Sequence, residues 1–319
     1  METGVLGIDT SCYTTSLAVV NEEGVLCSDQ RQLLPVPQGK RGLRQAEAIF
    51  KHLGNLPDLV QAMRQEFQGK LVAIAVTERP RPLHNSYLPV FRTGYAWGRT
   101  MASILGVPFF SFSHQESHLR VGKWSASGPV AKKFIAVHLS GGTTEILLVN
   151  ASELGYQSTV VGKDLDLHAG QFVDRLGTSL GLPFPAGPYL EELATDGKPG
   201  AVSIPASVNG YDVSFSGPLT AALRQIKAGA AKADVALAVF FCIAKALEKI
   251  IRPLIITSGC REVLLVGGVA ANKIIRERLR HRLEHPSIQA KLYFAAPNYS
   301  TDNAIGTALL GLDSYQKLH

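Results

Sequence analysis

An α/β protein of two lobes, each built around a mostly parallel sheet, is the fold this sequence predicts. Three observations predict it. Apolar runs of strand length alternate with amphipathic helical stretches along most of the chain. A strand–turn–strand unit near the N-terminus recurs at mid-chain, and the 319 residues are about twice a typical domain. Hydrophobic residues make up 46% of the chain and charged residues 18%, which excludes a disordered or fibrous protein.

GVLGIDTS reads as a first strand, TTSLAVVN as a second and VLCSDQRQLL as a third, the last two joined by the turn Glu22-Glu23-Gly24. Short glycine turns between strands read as antiparallel hairpins. Residues 40–67 have helical period, and LVAIAVT at 71–77 is the continuous apolar run of a buried parallel strand. A helix near 94–105 and the short strand VPFFSFS follow. The pattern then restarts. FIAVHLSGGTTEILLVN (134–150) aligns with VLGIDTSCYTTSLAVVN (5–21) at a constant offset, so that Thr14-Thr15 fall on Thr143-Thr144, Asn21 on Asn150 and Asp9 on His138. A repeat of this length predicts duplicated lobes. Helices are expected at 170–181, 188–196, 216–228 and 233–259. EVLLVGGVAAN (262–272) is a strand entering a glycine turn, followed by the basic helix KIIRERLRHRLE, a strand at 291–295 and a last helix starting at Asp302. The expected lobes are 1–125, completed by 302–319, and 134–301, with the break SASGPVAKK at 125–133 as their hinge.

Net charge is +6 with a pI near 9.1. That suits an anionic partner such as RNA or nucleotide, and it suits an ordinary enzyme equally. Cys12, Cys27, Cys242 and Cys260 form no C-x-x-C pair, so neither a disulfide framework nor a cysteine zinc site is expected. No basic leader or signal-type core precedes the first strand, and the most apolar helical stretch is broken by Lys245, Glu248 and Lys249. A cytoplasmic protein without membrane or DNA contacts is the expectation.

The chemistry-bearing residues lie mostly in turns. Asp9-Thr10-Ser11 with Thr14-Thr15, and Ser140-Gly141-Gly142 with Thr143-Thr144, are hydroxyl- and glycine-rich, and the repeat would set them facing one another across a nucleotide cleft. Backbone amides in such turns can cradle phosphate oxygens. A third turn, Gly267-Gly268-Val269-Ala270-Ala271-Asn272, could pack on an adenosine, but no P-loop pattern occurs. His114 and His118 stand four apart in SHQESHLR. On a helix that spacing puts them on one face roughly 6 Å apart, a suitable bite for one metal ion. Two unrelated surface histidines explain it as well. The order His-Gln-Glu-Ser-His is not H-E-x-x-H, so Glu116 projects elsewhere and peptidase chemistry is not expected. Asp302 at a helix start is ordinarily a favourable charge at the dipole's positive end. Asp174, in HAGQFVDRLG, is either a polar site contact or an exposed carboxylate.

Seven segments together carry a resemblance: GIDTSC (7–12), HQESH (114–118), LSGGTTE (139–145), HAGQFVDRLGTSLGLPFPAGP (168–188), VSFSG (213–217), GGVAAN (267–272) and STDNA (300–304). In this order they resemble the tRNA threonylcarbamoyladenosine transferase family (TsaD-like, formerly labelled O-sialoglycoprotein endopeptidases) over nearly the whole chain. The resemblance implies the actin-like ATPase fold, a duplicated ribonuclease H-like α/β fold with a central nucleotide cleft. It implies transfer of a threonylcarbamoyl group from its adenylate to adenosine in tRNA, with partner protein subunits. It further implies one divalent metal, iron or zinc, per chain, held by His114, His118 and Asp302, and use of ATP or an acyl-adenylate. Ser11, His138, Leu139, Ser140, Gly141, Gly142, Asp174, Gly187, Gly267, Gly268 and Asn272 would contact nucleotide or substrate, His138 standing where some relatives place a metal-facing tyrosine.

Three segments depart from the family. Its two acidic residues after GIETSC are Tyr13 and Thr14 here, which removes an acid/base or orienting group. Its glycine-rich segment T-x-G-P-G-L-x-G is replaced by TERPRPLHNSYLPVF (77–91), where Arg79, Arg81, His84 and Tyr87 could meet an anion. A region around a family histidine reads KRGLRQAEAIF, with Lys40, Arg41 and Arg44. No residue is assigned a catalytic role outright; Asp9, Arg79 and Arg81 are the candidates. A divergent transferase leads the expectations. The alternatives are a repurposed carbamoyl-type transferase with a non-tRNA acceptor and a non-catalytic nucleotide-binding partner subunit.

Overall fold

The structure, a computed structural model, describes residues 1–11, 13–35, 43–83, 85–152 and 155–318. Cys12, Lys40, Arg41 and His84, singled out above, lie outside the described residues. The chain divides into two compact units: Met1–Trp124 with Ala151–Gln157 and Thr301–His319, and Ser125–Asn150 with Ser158–Ser300.

Unit 1 begins with β1 (Thr3–Asp9), β2 (Thr14–Asn21) and β3 (Leu26–Leu33), followed by α1 (Gln45–Glu66), β4 (Lys70–Arg79), α2 (Phe91–Leu105), β5 (Phe109–Ser113) and α3 (His114–Ser125). Its sheet runs β3-β2-β1-β4-β5. The β1–β2 and β2–β3 pairs are antiparallel, and β4 and β5 add in parallel. Unit 2 contains β6 (Lys133–Leu139), most of β7 (Thr144–Ser152) and β8 (Gly155–Lys163), whose residues within 151–157 belong to unit 1, then α4 (Ala169–Ser179), α5 (Gly187–Ala194), β9 (Ser207–Asn209), β10 (Asp212–Ser214), α6 (Ser216–Lys227) and α7 (Lys232–Ser258). It closes with β11 (Glu262–Val266), α8 (Lys273–Leu283) and β12 (Lys291–Phe294), and α9 (Ile305–Tyr315) then returns to unit 1. The unit 2 sheet repeats the same order, β8-β7-β6-β11-β12, with β6–β7 antiparallel and β11 and β12 added in parallel.

The duplication holds at the level of single residue pairs. In the first hairpin Gly4 pairs with Asn21 and Asp9 with Ser16; in the second Lys133 pairs with Asn150 and His138 with Glu145. These are the same pairs under the offset that aligns the two sequences. A one-residue slip would turn every apolar side chain to the wrong face, so the shared pattern enforces the shared register. β8 and the small β9–β10 ladder are additions that the strand pattern did not predict.

Side-chain alternation places the edge of the unit 1 sheet. Ile8 and Val76 face α2, next to Gly94 and Gly98, whereas Val5 and Ala75 face α9 beside Gly311. The core on the α2 side gathers Leu6, Ile8, Ile74 and Val76. One more step along β1 therefore turns Asp9 toward the α9 side. α9 also meets α3 at very close range. A Cβ on Gly306 would stand 1.9 Å from the Ser117 carbonyl oxygen, and Thr307 Oγ1 donates to Ser117 Oγ at 3.0 Å. Only a residue without a side chain permits this approach. It brings the start of α9 to the first turn of α3.

Candidate metal centre and nucleotide-binding turns

His114 and His118 occupy the first and fifth positions of α3, so they sit one turn apart on one face. Their Nε2 atoms are 2.9 Å from one another. Asp302 Oδ1 lies 3.5 Å from His114 Nε2 and 3.3 Å from His118 Nε2. The final helix starts at Ile305, three residues later than the sequence predicted, with Asn303 Oδ1 accepting the Ile305 amide. Asp302 is thus a loop residue, neither cap nor dipole partner, and its carboxylate points back at the histidines.

The donor set fits a metal ion. At about 2.0–2.1 Å from a tetrahedral centre, ligand atoms lie about 3.3 Å apart, and the three separations bracket that value. Two imidazoles and a carboxylate suit zinc or iron better than an alkaline-earth ion. Behind the set, His114 Nδ1 meets Asp9 Oδ2 at 2.7 Å, on a carboxylate whose side chain is 1% exposed. Asp9 Oδ1 accepts the Ser11 amide at 2.7 Å. A carboxylate on the far nitrogen fixes the ring and leaves Nε2 free to ligate. Burial disfavours the His114 imidazolium, but Asp9 and Asp302 outweigh that penalty and raise its pKa well above the usual histidine value. Burial also opposes ionisation of Asp302, and the hydrogen bonds from His114 and His118 reverse this and hold the carboxyl far below its usual range. Asp9 behaves likewise, its burial offset by His114.

Asp9 therefore enters the site as an orienting group for His114. Substituting Asp9→Asn is expected to weaken metal affinity by about 10- to 100-fold, measured by competition with a chromogenic chelator. Unchanged affinity would show that His114 is oriented without it. Glu116 projects away from the site, as its spacing requires. Its Oε2 accepts from the Ser113 amide and hydroxyl, and its Oε1 accepts the Tyr156 amide. Burial pushes the Cys242 thiol up to about 12, which removes it as a nucleophile.

Arg79 ends β4 opposite Ser113, the residue before His114. Its Nη2 is 3.3 Å from Glu78. Arg81 lies in a turn in which its amide donates to Ser86 Oγ. Tyr13 and Tyr87 are exposed, and Thr14 is buried.

In unit 2 the glycine turns converge. β6 and β11 are parallel neighbours, Val266 opposite His138, so the turns leaving their C-terminal ends lie side by side. A Cβ on Gly267 would stand 2.3 Å from the Leu139 carbonyl oxygen. The Ser140 amide closes the first turn on the Thr143 carbonyl at 2.8 Å. Gly141 and Gly142 are exposed, with open space where a side chain would be. The N-terminus of α4 abuts this turn: the Ala169 amide donates to Thr144 Oγ1 and the Gly170 amide to the Ser140 carbonyl. Carboxyl ends of parallel strands beside helix N-termini are where α/β sheets bind phosphates. Asp174 Oδ1 accepts the Ala186 amide at 2.8 Å, beside Gly187. Burial raises its pKa. That hydrogen bond ties the half-buried Asp174 to the residue before α5. Asn272 Oδ1 accepts the Ile275 amide at 2.9 Å and caps α8. The sequence could have revealed that cap, since asparagine directly precedes the helical run.

Known proteins agree with this picture. A family model described as tRNA N6-adenosine threonylcarbamoyltransferase matches residues 38–309. The Archaeoglobus fulgidus protein of that name is 31% identical over 315 residues, 98% of this chain and 92% of its own. Its Methanopyrus kandleri namesake is also 31% identical, over 96% of this chain and 86% of its own. Among solved structures, full-length HypF in a phosphate- and nucleotide-bound form aligns with a TM-score of 0.61 at 11% identity, over 99% of this chain and 47% of that one. A ROK-family glucokinase from Streptomyces griseus aligns at 0.53 and 12% identity, over 97% of this chain and 99% of that one. The fold is accordingly the two-lobed α/β fold of the actin-like ATPases, each lobe with a five-stranded sheet. By sequence over nearly its whole length, the chain belongs to the tRNA N6-adenosine threonylcarbamoyltransferase family.

Proposed function

We propose that this chain transfers a threonylcarbamoyl group from its adenylate to N6 of an adenosine in tRNA, at a site containing one iron or zinc ion per chain. The observation that carries the reading is the convergence of His114, His118 and Asp302, with Asp9 behind His114, in a chain of this family. When bound, the ion supplies Lewis-acid polarisation and a positive charge for the donor's carboxylate or phosphate.

The chain's own residues do the rest by position. His114 and His118 present Nε2 from a rigid helix, and Asp302 closes the set. The turns at 138–142 and 267–268, with the α4 N-terminus, offer backbone amides to the nucleotide portion of ATP or the acyl-adenylate. His138, Leu139, Gly187 and Asn272 belong to this assignment, Asn272 through the shape of the α8 start. An exocyclic adenosine amine is a weak nucleophile, so orientation and charge stabilisation would supply most of the acceleration. Tyr13 and Thr14 stand where the family has carboxylates, so proton removal from that amine falls to a group other than an acidic pair. The mildly basic chain suits tRNA, and partner subunits in the cytoplasm complete the reading. Among the described residues no helix is long and apolar enough to cross a membrane.

The test is mass spectrometry of tRNA nucleosides from the native host with and without this gene, which keeps any partners present. Loss of threonylcarbamoyladenosine on deletion is the expected result. An unchanged level would transfer the reading to a different acceptor.

A further inference from the structure

Unit 1 carries a cavity of about 440 Å³ that the metal centre does not use. Three parts of the unit wall it: the second half of α3 with Arg120 and Lys123, the strand ends at 151–152 and 155–156 with Tyr156, and the end of α9 with Leu310, Asp313 and Lys317. Lys123 follows His114 by about two and a half helical turns, or roughly 13 Å along the axis. The cavity and the metal ligands therefore occupy opposite ends of α3.

The walls are held in place. Arg120 Nε and Nη2 donate to Asp313 Oδ2 and Oδ1 at 2.7 and 3.0 Å, a two-point strap from α3 to α9. On the third side the Tyr156 amide donates to Glu116 Oε1 at 3.3 Å, and Glu116 Oε2 accepts from the Ser113 amide and hydroxyl. A site fixed before its ligand arrives loses less entropy on binding.

The chemistry of the cavity is one-sided. Asp313 is the one acidic group among the described lining residues, and Arg120 neutralises it. Lys123 and Lys317 then leave an excess of two positive charges. The strap takes Nε and Nη2 of Arg120, so Nη1 stands outside it. Tyr156 is 6% exposed. Burial pushes its phenol up to about 12, so the hydroxyl keeps its proton. Its ring and Leu310 add apolar wall. Two ammonium groups beside a fixed guanidinium suit a dianion better than a monocarboxylate, which would leave one lysine unmatched. A volume in this range suits an organic molecule rather than a bare ion.

We propose that this cavity binds a small organic phosphate, with its phosphomonoester dianion among Lys123, Lys317 and Arg120 and its carbon skeleton against Tyr156 and Leu310. Bound at the far end of α3 from His114, such a ligand is an effector and not a reactant. The site does not depend on the reaction proposed above.

The experiment titrates the full chain, loaded with metal, calorimetrically with ribose 5-phosphate, glycerol 3-phosphate and, as the uncharged control, ribose. At least one phosphate ester is expected to bind, and ribose is not. Lys123→Ala combined with Lys317→Ala should weaken that binding by about tenfold or more. Lys317→Glu, a charge reversal at an exposed position beyond α9, should weaken it by at least as much. Metal content and affinity for an ATP analogue should stay at the wild-type level in both variants. That separates a loss at this cavity from misfolding and from phosphate bound at the glycine turns of unit 2. Failure of the wild-type protein to bind either ester would overturn the proposal. Equal binding of ribose would do so too, as would wild-type affinity in both variants.

Discussion

His118→Ala is expected to reduce metal affinity by about a hundredfold or more. A complete structural zinc site contributes roughly 10–16 kcal/mol in apparent binding free energy, so one ligand of three or four accounts for several. His118 is the better ligand to remove. His114 is also hydrogen-bonded to Asp9, and deleting it would leave a buried carboxylate unpaired, confounding metal loss with destabilisation. His118 is 6% exposed on a two-sided helix, and alanine is the best helix former, so α3 should persist. Metal content of the purified chain, chelator competition and far-ultraviolet circular dichroism together test this. A folded variant that keeps a full equivalent of metal would remove His118 from the ligand set.

The parts of the molecule that the sequence made legible are those determined by local period. The hairpins at 3–21 and 133–152 carry two-residue alternation and an aligned pair of threonines, and the structure gives them identical registers. α7 was legible for the same reason, its apolar residues covering most of its surface over 27 positions. β8 was not, because GYQSTVVGK is mostly polar and joins a sheet already built by β6 and β7. The candidate site shows the same division. The His114–His118 bite follows from helical spacing alone. The Asp9–His114 bond spans 105 residues and depends on where β1 ends relative to α3, which no local pattern encodes. Asp302 was placed on a helix because serine and threonine precede it. The structure instead uses Asn303 at the helix start and leaves Asp302 to the loop. The repeat itself also set a limit. It mapped Asp9 onto His138, yet Asp9 serves a histidine in unit 1, while His138 ends β6 beside the glycine turns of unit 2.

Gly267→Ala should damage unit 2 more than any other single methyl added to its glycine turns. Gly267 has φ 96° and ψ 159°, a region open essentially to glycine, and holding another residue there costs about 1–3 kcal/mol. The added carbon would also lie 2.3 Å from the Leu139 carbonyl oxygen and 2.7 Å from its carbon. Those are backbone atoms of β6, already paired to β11 at Val266–His138, so they cannot swing aside as a flexible side chain could. Either β11 separates from β6 at its end or the 138–142 turn moves. The expected loss is about 3 kcal/mol or more of stability, read as a lower urea midpoint, with weaker binding of an ATP analogue. Gly268→Ala is the control. One residue on, an added Cβ meets nothing within 4 Å, and the change should stay within about 0.5 kcal/mol. Equal midpoints for the two variants would mean that the turns at 139 and 267 are not held together as tightly as their backbone contact implies. The amides that the two strands present side by side would then be two separate loops rather than one phosphate-binding surface.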